Sequence, residues 1–328
     1  MAAARRAGAP ASGRVLAGID IGTNTVRLLA VAPQPDGSWR IVDEARRITR
    51  LGEGATPGRT LQAAAIQRTI AAAGEFAERA RRAQAGVIRV VATSAVREAV
   101  NQADFVEAAR RDRRLAGIAP RVIDAAEEAR LTLAGVARAV DFRAGLSLIV
   151  DIGGGSTEFT LTEGDRLVAS TSCLLGVVGL TETHLTTAPT DAREYAGLLA
   201  AIDAQLDAVA RALAPRRAAR LIGTAGTITT LAALHLGLVA YDAATINATR
   251  LTLARVQEIL VWLKSLSLPE RQAIAALEAG REDIIVSGAA IVARIMERFE
   301  FPELLVSDYG LREGLICAMV AEMTAGSG

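Results

Sequence analysis

Apolar and polar positions alternate along the chain in two matching passages. The first, Val15 to Val31, reads as a buried strand, a tight turn through Gly22, and a second strand. The second, LIVDIGGGSTEFTL, repeats the grammar: an apolar strand, Asp151, Ile152, glycine, small polar residues, then a strand over Glu158 to Thr162. Asp20 and Gly22 fall on Asp151 and Gly153 at a common offset of 131. A third short strand follows each hairpin, at Arg40 to Asp43 and at Arg166 to Ser170. Alanine-rich stretches with helical spacing come next, predicting helices over Leu61 to Ala83, Ser94 to Arg111 and Asp191 to Ala212, and another after Gly226. Strands are expected at Val87 to Ala92, Pro120 to Ile123 and Ala219 to Ile222.

A repeat at half-chain spacing signals a duplicated domain, and 328 residues exceed what one ordinary core encloses. Three antiparallel strands followed by alternating helices and strands predict two mixed α/β sheets. The expected division is a tail over 1–13, a first domain over 14–135 and a second over 136–310. Ligands of such sheets bind at the carboxyl ends of strands, where all the Gly/Ser/Thr-rich turns of this chain fall.

Composition removes several function classes. The 37 basic and 36 acidic residues nearly cancel, giving no general affinity for nucleic acid or membrane surfaces, so an anion site must be local. Only Lys264 is a lysine, and no Gly-Lys-Ser/Thr tripeptide exists, which excludes a P-loop. Two histidines cannot make a histidine-rich zinc site. Cys173 and Cys317, 144 positions apart, fit reduced thiols in a cytoplasmic protein. No apolar run approaches the ~18 residues of a membrane span.

The chemistry concentrates in four places. The Gly153, Gly154, Gly155, Ser156 turn leaves room for its N–H groups to converge on an anion, although a hairpin needing positive φ explains one such turn as well. With the Asn24, Thr25 turn of the first half facing it, the pair reads as a phosphate clamp. A third anion loop is expected where Gly223, Gly226 and Thr227 lead a strand into a helix, since helix N-termini attract phosphate. Ser94 is the expected N-cap of the next helix, with Arg97 in its first turn, solvated or paired with phosphate. In IDAAEEARL, Asp124 and Glu127 have capping-box spacing, which leaves Glu128 free to hold a water as a general base.

With GIDIGTNTVRL, ATSAVREA, IDAAEEARL, LIVDIGGGSTEF, IGTAGTITTLAAL, GREDIIVSGAAI and SDYGLREGL in this order, the chain resembles the exopolyphosphatase and guanosine pentaphosphate phosphohydrolase family. That family belongs to the superfamily of actin, sugar kinases and heat-shock ATPases. The resemblance implies two ribonuclease H-like domains around a cleft, with the C-terminal helix 311–325 crossing back onto the first. It implies hydrolysis of a terminal phosphoanhydride of polyphosphate, guanosine pentaphosphate, or both. By motif position, Glu128 is similar to the catalytic glutamate, and Arg97, Asn24 and the Gly154 to Ser156 loop are similar to phosphate-binding positions. Asp151 and Glu158 match carboxylates linked to a divalent metal, Mg²⁺ being the expectation, and Asp20, counted with them as a metal candidate, is similar to the first-domain acidic residue of the same cleft.

Long relatives carry a further helical domain that is not found before Gly328, so a preference for short polyphosphates is expected, unless a homodimer joins two clefts into one groove. A phosphotransferase on the same fold and a nonenzymatic guanosine tetra- or pentaphosphate sensor are the alternatives. Glu128 at the water-activating position speaks against the first. Retention of Glu128 and Arg97 together speaks against the second.

Overall fold

The structure is a computed structural model and describes residues 14–56, 58–142 and 145–325; the expected tail over 1–13 lies outside the described residues. The first sheet begins as the meander β1 (Val15–Ile21), β2 (Thr25–Pro33) and β3 (Trp39–Ile48). Helix α1 (Ala63–Arg82) crosses over to β4 (Ala85–Ala92), parallel to β1, and α2 (Ser94–Arg97) and α3 (Gln102–Arg111) lead to β5 (Arg121–Val122), giving the order β3-β2-β1-β4-β5. The apolar stripe of α1, including Ile66, Ile70, Ala73 and Phe76, buries against Ile19, Leu28 and Val90 of the sheet.

Helix α4 (Ala125–Val136) connects to a second copy of the plan. Strands β6 (Leu146–Ile152), β7 (Thr157–Glu163) and β8 (Arg166–Cys173) form its meander, followed by α5 (Val177–His184) and α6 (Ala192–Leu213). Then come β9 (Arg220–Thr224), α7 (Ala225–Leu236), α8 (Ala243–Ile246), β10 (Arg250–Thr252), α9 (Leu253–Ser265) and α10 (Leu268–Gln272). The chain continues through α11 (Ile285–Phe299), β11 (Glu303–Val306) and α12 (Leu311–Ala325). The sheet order β8-β7-β6-β9-β11-β10 matches that of the first sheet, with β10 added at the edge. Two duplicated α/β lobes of ribonuclease H-like topology are therefore present, each with its own core.

Helix α12 packs on the first sheet, burying Leu315 and Ile316 against Leu16, Leu29 and Val91. It crosses α4 at glycines. A Cβ on Gly314 would lie 1.7 Å from the Leu131 carbonyl oxygen, and one on Gly135 would lie 1.9 Å from that of Gly310. Only hydrogen fits at these two positions, because the obstacle is main chain and cannot rotate away.

The helix expected over Ser94 to Arg111 is broken in two. The Asn101 side chain donates to the Leu61 carbonyl at 3.1 Å and accepts from the Leu61 amide at 2.9 Å, so a tertiary contact occupies the connection between α2 and α3. Thr93 stands in the N-cap position, without a side-chain bond, and Ser94 is the first helical residue; the expected cap is corrected by one position. Arg97 ends this four-residue helix, and there is no long dipole for it to oppose.

Candidate active site

The two hairpins close their turns with the same bond, Gly22 N–H to Thr25 O and Gly153 N–H to Ser156 O, both 3.0 Å. Register carries the duplication further: Asp20 pairs with Arg27 across the first hairpin, and Asp151 with Glu158 across the second. Equivalent strand ends thus deliver an aspartate from each lobe to one cleft, with an arginine from one lobe and a glutamate from the other.

Two of the three consecutive glycines, Gly154 and Gly155, are explained by the opposite lobe. A Cβ on Gly155 would meet Thr23 Oγ1 at 2.6 Å and Ser94 Oγ at 2.9 Å, and one on Gly154 would meet the Asn24 amide nitrogen at 3.2 Å. None of the three adopts the left-handed φ that a hairpin-only explanation requires. From behind, α5 donates its Val177 and Val178 amides to the Gly153 and Gly154 carbonyls. The loop is consequently pressed between its own lobe and Thr23 of the other.

Glu128 lies in the first turn of α4, whose N-terminus is capped by Asp124 accepting from the Glu127 amide at 2.7 Å. The Glu127 carboxylate does not complete a capping box; it is held by Arg121. Glu128 is buried, and its Oε2 accepts from Arg97 Nη1 at 2.6 Å. The same nitrogen donates to the Ile123 carbonyl at 3.2 Å, and Arg97 Nη2 lies 3.8 Å from Glu158 Oε1. Of the two readings of Arg97, the solvated one does not hold: its guanidinium lies between two buried carboxylates.

Burial, and after it the charge of Glu158, push the Glu128 carboxyl well above the usual carboxylate range, against the pull of Arg97. Glu158 is pushed up to about 7 by burial and by Asp151, and it accepts from Ser156 at 2.6 Å and Ser172 at 2.9 Å. Burial raises Asp20 to about 6, and it also raises Asp151, which has Thr132 as a partner at 3.4 Å. Arg27 pulls both aspartates the other way.

Among the described residues no group of three or more Asp, Glu, His or Cys is placed to hold an ion, and Glu158 accepts from both serines through Oε1 alone. Asp20 and Asp151 do fit one: Asp20 Oδ1 is shut off from solvent without a hydrogen-bond partner. Two carboxylates completed by phosphate oxygens and water are the usual means of holding Mg²⁺.

These residues line a cavity of about 100 Å³ with Asn24, whose buried Nδ2 likewise has no partner, Thr25, and the first turn of α7 at Gly226 and Thr227. Gly223 is not part of this wall; a Cβ there would meet Ile228 and Leu304 side chains at 2.9 Å, so its role is core packing. Three arginines missed in the sequence complete the cleft: Arg27, Arg281 and Arg312. The Arg281 guanidinium lies over Gly226, where a Cβ would come within 2.4 Å of it. A cavity of about 550 Å³ continues beyond these three side chains. Arg27 interrupts an otherwise buried strand, and that was its signal in the sequence.

The sequence profile of the Ppx/GppA phosphatase family matches residues 30–323. Exopolyphosphatase 2 of Mycobacterium tuberculosis is 35% identical over 318 residues, covering 93% of this chain and 98% of its own length. The guanosine-5'-triphosphate,3'-diphosphate pyrophosphatase of Aeromonas salmonicida is 29% identical over 304 residues, and this chain spans 59% of its length. Among solved structures, the Aquifex aeolicus Ppx/GppA family member superimposes with a TM-score of 0.79 at 31% identity, covering 94% of this chain and 98% of that one. An exopolyphosphatase from Cytophaga hutchinsonii gives 0.86 at 25% identity, with the same coverages.

Proposed function

We propose, for a chain that belongs to the Ppx/GppA phosphatase family, hydrolysis of the terminal phosphoanhydride of inorganic polyphosphate, short chains preferred, with guanosine pentaphosphate as a second substrate. The observation that carries this reading is the Glu128–Arg97 pair at 2.6 Å, with Glu128 in the wall of a cleft formed by two phosphate-sized turns and three further arginines.

The terminal phosphoryl sits between the Asn24 and Gly154 turns, near the α7 N-terminus, where Arg281 and helix amides offset its charge. Glu128 holds a water in line with the scissile bond. Its raised proton affinity suits a base that works near neutral pH. The water oxygen attacks phosphorus, the bond to the bridging oxygen breaks, and the water's proton passes to Glu128. Arg97 holds the Glu128 carboxylate in place and steadies its charge. A divalent cation on Asp20 and Asp151, when bound, supplies neutralisation of the phosphate oxygens.

Short chains are favoured because the strong contacts end with the cleft; phosphates beyond it gain only attraction that fades over ~8 Å at physiological salt. Guanosine pentaphosphate is retained as a substrate because the 550 Å³ cavity beyond Arg27 and Arg312 has room for a nucleoside. The test is phosphate release from polyphosphates of graded length and from guanosine pentaphosphate, side by side, in wild type and Glu128→Gln. A general base contributes ~10²–10⁴ in rate. Glu128→Gln is expected to lose that much while still binding polyphosphate. More than about a tenth of wild-type turnover in the variant would remove Glu128 from the base role.

A further inference from the structure

The segment 278–283, at the start of the GREDII motif, touches the first lobe at both its ends while its middle residue reaches into the cleft. At one end Glu278 is shared: Oε1 lies 2.7 Å from Arg46 Nε of the first lobe, and Oε2 accepts from Arg281 Nε at 3.0 Å. At the other end Asp283 receives Arg50 as a fork, Nη1 to Oδ2 at 2.8 Å and Nη2 to Oδ1 at 3.0 Å, and Arg50 Nη2 also donates to the Gly280 carbonyl at 3.3 Å. Arg50 holds a left-handed backbone, φ +49, and Gly280 turns at φ +90 against Ile48 at the end of β3. Between these contacts Arg281 is buried over the first turn of α7.

Arg281 is therefore a cation packed on the positive end of a helix, an arrangement that an anion in the cleft relieves. With the lobes apart, Arg46 and Arg50 leave with β3, and Glu278 retains Arg281 as its near partner. With the lobes together, Glu278 divides between Arg46 and Arg281, which loosens its hold on the guanidinium facing the cleft. An anion that draws on Arg281 and an Arg46 that draws on Glu278 thus favour the same state, and such coupling is reciprocal.

We propose that Glu278 and Asp283 are positioning residues. They latch the second lobe onto β3, and closure of this latch sets Arg281 against the phosphate chain. The proposal rests on the phosphohydrolase reading for its kinetic arm only.

The experiment compares wild type, Asp283→Asn, Glu278→Gln and the exchanged pair Arg50→Asp/Asp283→Arg. Tripolyphosphate is the substrate, imidodiphosphate the nonhydrolysable probe for small-angle scattering, and thermal melting reports on folding. Because the latch side chains are about one-third exposed, each pair contributes modestly. Asp283→Asn is expected to raise KM about two- to fivefold, and Glu278→Gln, which loses Arg46 but also releases Arg281, by less, with kcat within about twofold of wild type. They should also need correspondingly more imidodiphosphate to reach the compact scattering profile. The exchanged pair should return both quantities toward wild type, and wild-type KM should rise more steeply with salt than that of the single variants. Unchanged KM and unchanged compaction in Asp283→Asn would overturn the latch, as would an exchanged pair that melts like wild type yet recovers neither quantity. A wild type that releases no phosphate but compacts with imidodiphosphate would sink the hydrolase reading, and the scattering comparison would still decide the latch.

Discussion

Gly314→Ala examines how Glu128 is seated. An alanine Cβ would lie 1.7 Å from the Leu131 carbonyl oxygen, and van der Waals contact starts near 3.4 Å, so α12 and α4 must separate by about 1.7 Å. In an isolated helix the change would stabilise by ~1 kcal/mol through propensity. Here the obstacle is the main chain of another helix, and overpacking of a close-packed site costs ~1–3 kcal/mol. A gap of even 0.5–1 Å forfeits a quarter to a half of each dispersion contact, and Leu131, Leu311 and Leu315 share one cluster at the crossing. The net loss expected is about 2 kcal/mol, or roughly 4–8 °C in Tm for lobes of this size. Glu128 lies one turn before Leu131, and a 1 Å misplacement can cost ~10²-fold in rate. Thermal melting followed by circular dichroism and phosphate release from tripolyphosphate read the two effects. A variant that melts at or above the wild-type temperature with wild-type turnover would refute the close crossing and the positioning of Glu128 through it.

Two further outcomes follow from the site. Arg97→Lys is expected to keep one contact to Glu128 and lose the planar fork whose Nη1 serves Glu128 and the Ile123 carbonyl while Nη2 faces Glu158, lowering kcat about tenfold or more; equal kinetics would show that a point charge suffices. In the presence of a chelator, Asp20 and Glu158 have folded values near 6 and 7, raised above their unfolded ones. Their contribution to stability is complete below about pH 4 and is lost as pH rises through 6 to 7. Mg²⁺ binds the ionised aspartates, so the rise in Tm it produces should be larger at about pH 7.5 than at about pH 5. A Mg²⁺ effect equal at both would remove Asp20 and Asp151 from the ion site.

The sequence was most legible where local pattern and tertiary structure agree. Both hairpins, their offset and the long helix α1 follow from periodicity, because each buries one face on its own sheet. The split between α2 and α3 was hidden, since it depends on Asn101 reaching Leu61, 40 positions away. Glu128 was visible because the carboxylate before it has structural work to do, although that work is an ion pair with Arg121 and not a capping box. Arg281 and Arg312 were not visible: arginines beside helix starts look like solvated surface until folding brings them over one cavity. The glycines were noticed for the right reason, close approach, but the closest neighbour found is the other lobe's Thr23.

The return of α12 onto the first lobe has a consequence in time. Leu311 follows Leu131 by 180 positions, and a ribosome adding ~5–20 residues per second needs roughly 10–40 s to make that stretch. During that interval Leu16, Leu29 and Val91 are already synthesised, but the surface that Leu315 and Ile316 will cover is still bare. The nascent first lobe is then an incomplete fold with a sticky side, suited to holding by a chaperone, and the glutamate assigned to catalysis is fixed in position only once α12 has been made.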